Sequence, residues 1–326
     1  MTDEVMEDAR VSIEEGTQRV TNLIDNIETI IFGKREAIKL CVVGLLARGH
    51  ILIEDIPGIG KTTLAQGLAK SLSCDFSRVQ FTNDMLPADI LGVSILDPNT
   101  NQFDFREGPI FSNVVLADEI NRTPPKTQSA LLEAMSEFQV SVDGKTRPLP
   151  NPFLVLATQN PIEYEGTYSL PEAQLDRFLI RVEIGYPGDE DELRVMRRHS
   201  PAMALDDLTP VLTASDVVDL QSLVQQIHVD ESVARYMLAI VKATREAPMV
   251  RLGVSPRGSL ALFEASQALA LVNGRNYVTP GDVKSLVAPV LSHRVIAQSY
   301  GNNRVPTPRD RDALILELLE EIPVPD

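Results

Sequence analysis

The sequence is short of several residue types, and each shortage argues against a class of protein. It contains no tryptophan and only two cysteines, Cys41 and Cys74, which lie far apart among apolar neighbours. We expect two buried thiols rather than a disulfide or a metal site. The four histidines show no ligand spacing, so the sequence also argues against a zinc site.

Long hydrophobic runs and basic charge are scarce as well. No apolar run approaches the ~18 residues needed to span a bilayer, and the acidic N-terminus lacks the apolar core of a signal peptide. We therefore expect a cytoplasmic location. The 46 acidic and 30 basic residues make a net charge of −16, which argues against a general nucleic-acid-binding surface and against binding to an anionic membrane. Any membrane contact is expected to be peripheral and to go through partners.

Hydrophobic residues are plentiful enough for a sizeable core, at 44% of the 326 positions. The length suggests about two domains at ~150 residues each. As far as Ile184, short apolar runs alternate with helical periods, which predicts an α/β domain around a mostly parallel sheet. Beyond Tyr186-Pro187-Gly188 we find helical periods only, which predicts a separate all-α domain.

The hydrophobic periods also predict the bounds of individual elements. Strands are expected at 51–53, 76–81, 114–117, 153–157 and 179–184, and helices at 12–31, 35–47, 61–73, 125–135, 189–199, 214–227, 231–246, 255–273, 280–290 and 309–321. A short helix should begin near Leu86. Two hairpins are expected, one around the turn Asp97-Pro-Asn-Thr-Asn101 and one around Asp143-Gly144.

The clearest functional motif joins the first predicted strand to a helix. A Pro/Gly-rich turn follows Ile51–Ile53, and Lys61-Thr62 then opens the helix. Strand, glycine loop, Lys-Thr and helix are the context of a phosphate-binding loop, where backbone N–H groups and the helix N-terminus surround an anion. The candidate nucleotide-binding residues are Pro57, Gly58, Ile59, Gly60, Lys61, Thr62 and Thr63. Lys61 would reach the phosphates and the Thr62 hydroxyl would bind Mg²⁺.

The motif departs from the general pattern at one position. A phosphate-binding loop has glycine where this chain has Asp55. An anionic side chain at that place must point away from the phosphates.

A second acidic motif follows another buried strand. Val114–Ala117 leads directly into Asp118-Glu119. At the carboxyl end of a strand, Asp118 would hold Mg²⁺ and Glu119 would polarise the attacking water. Two acids that merely cap a strand are the alternative, which the preceding phosphate-loop motif makes less favoured.

Three further polar residues are candidates for the same chemistry. Asn160 ends a central strand and could bind the attacking water or the γ-phosphate, although Asn-Pro is also a common turn. Arg177 could be an arginine finger for a neighbouring subunit or an ion-pair partner of Asp176. Arg257 begins a helix and could touch phosphate or merely be solvated at a helix start.

Taken together, these motifs resemble those of the AAA+ ATPases, and among them the MoxR family. The resemblance runs from Ile31-Phe-Gly33 to Ile322-Pro-Val-Pro325. It is carried by Glu54-Asp-Ile-Pro-Gly-Ile-Gly-Lys-Thr62, Gln80-Phe-Thr82, Leu86-Pro-Ala-Asp-Ile90, Gly108-Pro-Ile-Phe111, Ala117-Asp-Glu-Ile-Asn-Arg122, Ala157-Thr-Gln-Asn-Pro161, Pro171-Glu-Ala-Gln-Leu-Asp-Arg-Phe178 and Val254-Ser-Pro-Arg257. Asp55 is usual in that family.

The resemblance implies a fold and a set of roles. The fold would be a P-loop three-layer αβα sandwich with a C-terminal helical lid. A flexible acidic segment at 1–11 would precede a core at 12–187 and a lid at 188–326. The core would carry a helix-2 insert near 91–108 and a pre-sensor-1 hairpin near 137–150, both at the pore of a ring. Asp118 and Glu119 resemble the Walker B pair, Asn160 resembles sensor 1, Arg177 the finger and Arg257 sensor 2.

The implied activity is ATP hydrolysis with Mg²⁺ by a hexameric, chaperone-like remodeller. The resemblance further implies partners with von Willebrand factor A domains, and the maturation or activation of client protein complexes, often with metal insertion. A magnesium-chelatase-like motor subunit is the nearest alternative, because it shares both insertions. A non-hydrolysing nucleotide-gated scaffold is a second alternative, and the presence of Glu119 with Arg177 argues against it. A DNA-remodelling motor is a third, and the acidic net charge argues against it.

Overall fold

The computed structural model describes residues 11–160, 167–197, 205–298 and 307–325. The predicted acidic segment 1–11 lies outside this range except for Val11, and so do residues 198–199 of the helix predicted at 189–199. Within the described ranges, no helix has both the length and the apolar character needed to cross a membrane.

The described chain folds into alternating helices and strands followed by a mainly helical region. The helices are α1 Ile13–Glu28, α2 Arg35–Leu46, α3 Lys61–Ser71, α4 Pro87–Leu91, α5 Pro125–Glu137, α6 Glu172–Leu175, α7 Asp189–Arg197, α8 Ala214–Val224, α9 Glu231–Glu246, α10 Pro256–Val272, α11 Pro280–Leu291 and α12 Pro308–Glu320. The strands are β1 Ile51–Glu54, β2 Phe76–Gln80, β3 Gly92–Asp97, β4 Gln102–Glu107, β5 Val114–Asp118, β6 Gln139–Val142, β7 Lys145–Pro148, β8 Leu154–Gln159, β9 Ile180–Val182, β10 Val250–Leu252 and β11 Ile296–Ala297.

Five of these strands form the central sheet in the order β2-β5-β8-β1-β9, and every pairing in it is parallel. Alternate residues of each inner strand enter two different hydrophobic clusters. Ile51 and Ile53 of β1 belong to one cluster, whereas Leu52 belongs to the other. Burial on both faces explains why these strands are continuous apolar runs rather than alternating ones. The predicted αβα sandwich is confirmed.

One face of the sheet is covered by α1, α2 and α3, and the other by α4 and α5. The C-terminal helices extend the first layer, because α8 and α10 pack on α1 and α2. A single hydrophobic cluster therefore runs from the sheet into the lid, with Leu220 and Leu262 as fully buried lid members. This continuous core holds the lid against the N-terminal helices.

Both predicted hairpins are present, β3–β4 and β6–β7, each antiparallel. The two hairpins contact each other, since the guanidinium of Arg147 on β7 lies 3.8 Å from the ring centre of Phe105 on β4. Toward the tip of the first hairpin, Leu96 pairs with Phe103. Both side chains are exposed, Phe103 by 74%.

The lid differs from the all-helical pattern in one detail. Strands β10 and β11 form a small antiparallel ribbon with an irregular register. β10 has three residues and β11 has two. Strands this short cannot show the alternation of apolar and polar residues by which a strand is recognised in a sequence. The predicted lid helices are otherwise confirmed where the structure describes them, including the capped start at Thr279, whose hydroxyl accepts from the Asp282 N–H.

Candidate active site

The phosphate-loop residues form the wall of a pocket of about 380 Å³ at the carboxyl ends of the strands. Gly58 and Gly60 have φ of +87° and +95°, in the left-handed region that favours glycine. A Cβ at Gly58 would meet nothing within 4 Å, so this glycine is needed for its backbone conformation. Gly60 is the N-cap of α3, and the helix therefore points its positive end into the pocket. The predicted residues that line it are Pro57, Gly58, Gly60, Lys61, Thr62, Thr63, Asp118, Glu119 and Asn160.

Lys61 follows the loop directly, as the first residue of α3. Its Nζ donates a short hydrogen bond to the backbone carbonyl of Asp55. Burial lowers the pKa of Lys61 below its ordinary value, and the carboxylates of Asp55, Asp118 and Glu119 act in the opposite direction. Lys61 thus places a cation at the pocket wall, where it can bind a phosphate once the charges of Asp118 and Glu119 are balanced.

Asp55 points away from the phosphate pocket, as its charge requires. Its Oδ2 accepts hydrogen bonds from the N–H groups of Ile184 at 2.8 Å and Gly185 at 2.7 Å. Its Oδ1 accepts from the Ile56 N–H at 2.9 Å. Ile184 and Gly185 lie between β9 and α7, so the residue that replaces glycine in the loop connects that loop to the link between core and lid.

Asp118 is oriented by two neighbouring strands. Thr158 on β8 donates from Oγ1 to Oδ1 of Asp118 at 2.7 Å. Arg78 on β2 donates to Oδ2 of Asp118, from Nη2 at 2.6 Å and from Nε at 3.2 Å. One carboxylate oxygen is thus set by a hydroxyl and the other is neutralised by a guanidinium.

Glu119 has φ of +58°, a conformation that costs energy for a residue with a side chain and that clusters at functional sites. Its N–H donates to Thr158 Oγ1 at 2.8 Å. Its Oε2 accepts from Gln80 Nε2 at 2.6 Å and lies 3.1 Å from Nε of Arg122. The carboxylate is therefore held from two sides.

Ile59 faces a different, apolar cavity of about 250 Å³ beside the loop. Gly58, Gly60 and Thr63 line both cavities, so the two adjoin. The apolar walls come from the segment after α1 and from the region around the start of the lid, and they include Ile30, Ile31, Phe32, Pro187 and Val195. A flat, apolar group attached to a phosphate chain would fit this arrangement.

Arg177 lies away from its own phosphate pocket. Its Nη1 donates to the carbonyl of Leu132 at 2.6 Å and to Oγ of Ser136 at 2.9 Å, both on α5. The ion pair with Asp176 that the sequence left open is not formed, because Asp176 binds Arg294 and Ser255 instead.

Arg257 shares a separate cavity of about 330 Å³ with Arg177, between α5 and the lid helix α10. It is not among the described residues that line its own phosphate pocket. Contact of Arg257 with phosphate from the lid therefore stays a prediction. Glu264 lies in the same cavity, and burial raises the pKa of its carboxyl.

Comparisons with known proteins agree with this geometry. Residues 50–180 match the ATPase family associated with various cellular activities (AAA), and residues 242–314 match the AAA lid domain. The chain is 43% identical to Chaperone MoxR1 of Mycobacterium tuberculosis over 284 residues, which cover 84% of this chain and 74% of that one. It is 30% identical to Protein MoxR of Paracoccus denitrificans, over 91% of this chain and 93% of that one. The chain belongs to the MoxR family of AAA+ ATPases.

Two other relatives extend the similarity. The uncharacterized protein YeaC of Bacillus subtilis is 48% identical over 302 residues, 93% of each chain. A crystal structure of a proposed ATPase from Cytophaga hutchinsonii superposes with a TM-score of 0.87 at 38% identity and covers 95% of this chain and 96% of that one. The similarity to these two proteins therefore extends over nearly the whole chain.

The residues present fit the nucleotide and Mg²⁺ that the AAA family implies. The left-handed glycines leave the loop backbone open toward the pocket, Lys61 supplies a cation, and the oxygen atoms of Thr62 and Asp118 are the ligands that Mg²⁺ prefers. Each of these groups lines the same cavity.

Three further residues of this MoxR-family site had no role assigned from the sequence, namely Arg78, Gln80 and Thr158, although Gln80 and Thr158 lie within the motifs quoted above. Arg78 and Gln80 are alternate residues of β2 and thus share one face. The long polar side chains at positions 78 and 80, two residues apart in a predicted strand, were an available signal. What the sequence lacked was the order of the strands, which places β2 and β8 on either side of β5.

Proposed function

We propose that this MoxR-family protein hydrolyses ATP with Mg²⁺, and that it does so where two copies meet in a ring, most simply a hexamer. One observation carries the proposal. The phosphate pocket contains Lys61, Asp118 and Glu119, whereas Arg177 and Arg257 line a different cavity of the same subunit. Arg78 lines the phosphate pocket but is bound to Asp118, which supports supply of the transition-state arginine by a neighbouring copy.

Each residue of the pocket has a role in this proposal. The loop backbone and Lys61 would bind the phosphates, and the apolar cavity beside Ile59 would take the base. Thr62 and Asp118 would hold Mg²⁺, which supplies charge neutralisation at the phosphates. Glu119 would accept the proton of the attacking water, and the amide of Asn160 would orient that water. Arg177 and Arg257 of the next subunit would stabilise the charge of the transition state.

At the level of the whole protein, we infer a chaperone-like remodeller of partner protein complexes. Similarity to a protein named Chaperone MoxR1 supports this, and so does the exposed Leu96–Phe103 pair on a hairpin, a feature of interaction surfaces. The proposed partners are a von Willebrand factor A domain protein and a client complex, in some cases one that receives a metal.

A mixing experiment tests the proposal. Arg177→Ala should lower phosphate release by roughly 10³–10⁵-fold, and Glu119→Gln by about 10²–10⁴-fold, while both retain ATP binding. Mixed in equal amounts, the two inactive variants should recover part of the wild-type rate, because Arg177 of one copy then serves Glu119 of the other. Lys61→Ala, which should not bind ATP, is the control that must fail to complement Glu119→Gln, because neither of those two variants has a complete phosphate pocket.

The outcome also separates the alternatives. Absence of recovery in the mixture would contradict the shared active site. Normal ATP affinity without phosphate release by the wild-type ring would favour the nucleotide-gated scaffold. A pulldown with Glu119→Gln as a trap would distinguish a chaperone-like role from that of a magnesium-chelatase-like motor by the partner recovered.

A further inference from the structure

Asp176 lies next to Arg177 in the chain, but its carboxylate binds only lid residues among the described hydrogen bonds. Its Oδ1 accepts from Nε of Arg294 at 2.8 Å, and its Oδ2 accepts from Oγ of Ser255 at 2.8 Å. The side chain of Arg177 instead runs to Leu132 and Ser136 on α5. Of these two adjacent residues, Arg177 is therefore bonded to the core and Asp176 to the lid.

Arg294 makes this connection rigid. Its side chain is 2% exposed, and burial lowers its pKa to about 10. Beyond Asp176, it donates from Nη2 to the carbonyl of Phe178 at 2.6 Å and from Nη1 to the carbonyl of Leu179 at 3.1 Å. A single lid side chain thus holds the carboxylate of Asp176 before Arg177 and two backbone carbonyls after it.

Ser255 ties Asp176 to the other arginine. Ser255 is the N-cap of α10, and its Oγ accepts from the Gly258 N–H at 3.3 Å while it donates to Asp176. Arg257 is the second residue of this helix. The Ser255 hydroxyl thus caps α10 and also binds Asp176, so it holds the first turn of this helix in place.

We propose that Asp176 is a positioning residue, which sets Arg177 of the core and Arg257 of the lid at a fixed separation across their common cavity. The two guanidinium groups then reach the triphosphate of the next subunit together. This inference rests on the proposed function, because it assigns Asp176 to the arginine-supplying side of the interface rather than to the phosphate pocket.

A purely structural role would give a different result. If Asp176 only stabilised the attachment of the lid, its loss would lower stability and affect every activity of the subunit. If it positions the arginines, its loss should leave the phosphate pocket of the same subunit intact. The defect should then be repaired by a neighbour that supplies well-placed arginines.

The same mixing experiment distinguishes these roles. Asp176→Asn keeps the shape of the side chain and should lower phosphate release by about 10- to 100-fold, with ATP affinity within about twofold of wild type. Mixed with Glu119→Gln, it should recover activity to the extent that Arg177→Ala does. Asp216→Asn is the matched control, since Asp216 also joins core to lid, through Arg19 at 2.8 Å, but does not line the arginine cavity. It should keep the wild-type rate.

Ser255→Ala provides a second variant that removes one bond and spares the buried ion pair. It should show a smaller loss than Asp176→Asn, repaired by Glu119→Gln in the same way, and it carries the test if Asp176→Asn does not fold. If Glu119→Gln repairs Arg177→Ala but repairs neither Asp176→Asn nor Ser255→Ala, the role of Asp176 is overturned while the shared active site stands. Lack of repair for Arg177→Ala would instead overturn the shared active site.

Discussion

The side-chain amide of Gln80 donates a 2.6 Å hydrogen bond to the carboxylate of Glu119. Arg122 contacts the same carboxylate oxygen. A hydrogen-bond donor and a nearby cation both lower the basicity of a carboxylate, and a general base has to take a proton from water. Gln80 and Arg122 therefore hold the candidate base in a bound position, and release from Gln80 is expected to accompany hydrolysis.

Gln80→Ala should raise the basal rate of phosphate release. The loss of one hydrogen bond to a carboxylate, ~1.5–3 kcal/mol, sets an upper limit of roughly 10- to 100-fold. ATP affinity should stay unchanged, because the phosphate loop is not altered. The double variant Gln80→Ala/Glu119→Gln should be as inactive as Glu119→Gln, which shows that the extra rate passes through Glu119. A rate below wild type for Gln80→Ala would contradict a restraining role.

Asp55→Gly introduces the glycine of the general phosphate-loop pattern. It should leave ATP binding intact while it removes the hydrogen bonds that connect the loop to the segment leading to the lid. ATP affinity should stay within about threefold, since glycine is what most such loops carry at this position. The amides of Ile184 and Gly185 lose their acceptor, and their hydrogen exchange should accelerate. Asp219→Ala, at an exposed position of α8, is the control and should leave that exchange unchanged. Unaltered protection in Asp55→Gly would contradict the link.

Because of His50, the free energy of unfolding should decrease as the pH falls below about 6.5. Its Nδ1 accepts from the Val155 N–H at 3.1 Å, so the proton is on Nε2, which donates to the carbonyl of Met135 at 2.9 Å. Burial lowers the pKa of His50 to about 4, and nearby Arg257 acts in the same direction, while the Met135 bond opposes it. Between the ordinary value near 6.5 and 4, only the unfolded chain takes up this proton. Its stabilising contribution is therefore complete above about pH 6.5 and falls by roughly 3 kcal/mol by pH 4.

Unfolding by urea at several pH values checks this prediction. His50→Gln can keep one donor and one acceptor without titrating, so its stability should vary less between pH 6.5 and 4 than that of the wild type. His228→Gln alters an exposed histidine and should follow the wild-type curve. Equal pH dependence for wild type and His50→Gln would rule out His50 as the source.

Gly92 should be intolerant of a side chain at the base of the first hairpin. Its φ is +100°, and a Cβ would lie 2.3 Å from the carbonyl oxygen of Arg106 and 2.7 Å from the Gly108 nitrogen. Gly144, in the turn of the second hairpin, also has positive φ, +73°, but a Cβ there would meet nothing within 4 Å. Gly144→Ala should cost about 1 kcal/mol from backbone strain alone, and Gly92→Ala at least ~3 kcal/mol because backbone atoms must move. Thermal unfolding of the pair measures the difference, and equal losses would contradict it.

The helices, the central strands and both hairpins were predictable because each is signalled by residues close together in the sequence. The phosphate loop and the Asp118-Glu119 pair were predictable for the same reason. The lid ribbon was missed because its strands are too short for a period. The partners of Asp55 were not predictable, since Ile184 lies 129 residues further along the chain.

By itself, the sequence determined which chemical groups the protein carries and the local structure that presents them. Glycines where φ must be positive, a lysine at a helix start and acids at a strand end are local choices with local causes. The tertiary structure alone decided which groups share a site, because strand order and lid packing bring together residues far apart in the chain. It set Gln80 against Glu119 and Asp55 against the link to the lid. It also placed Arg177 and Arg257 together, in a cavity separate from the phosphate pocket of their own subunit.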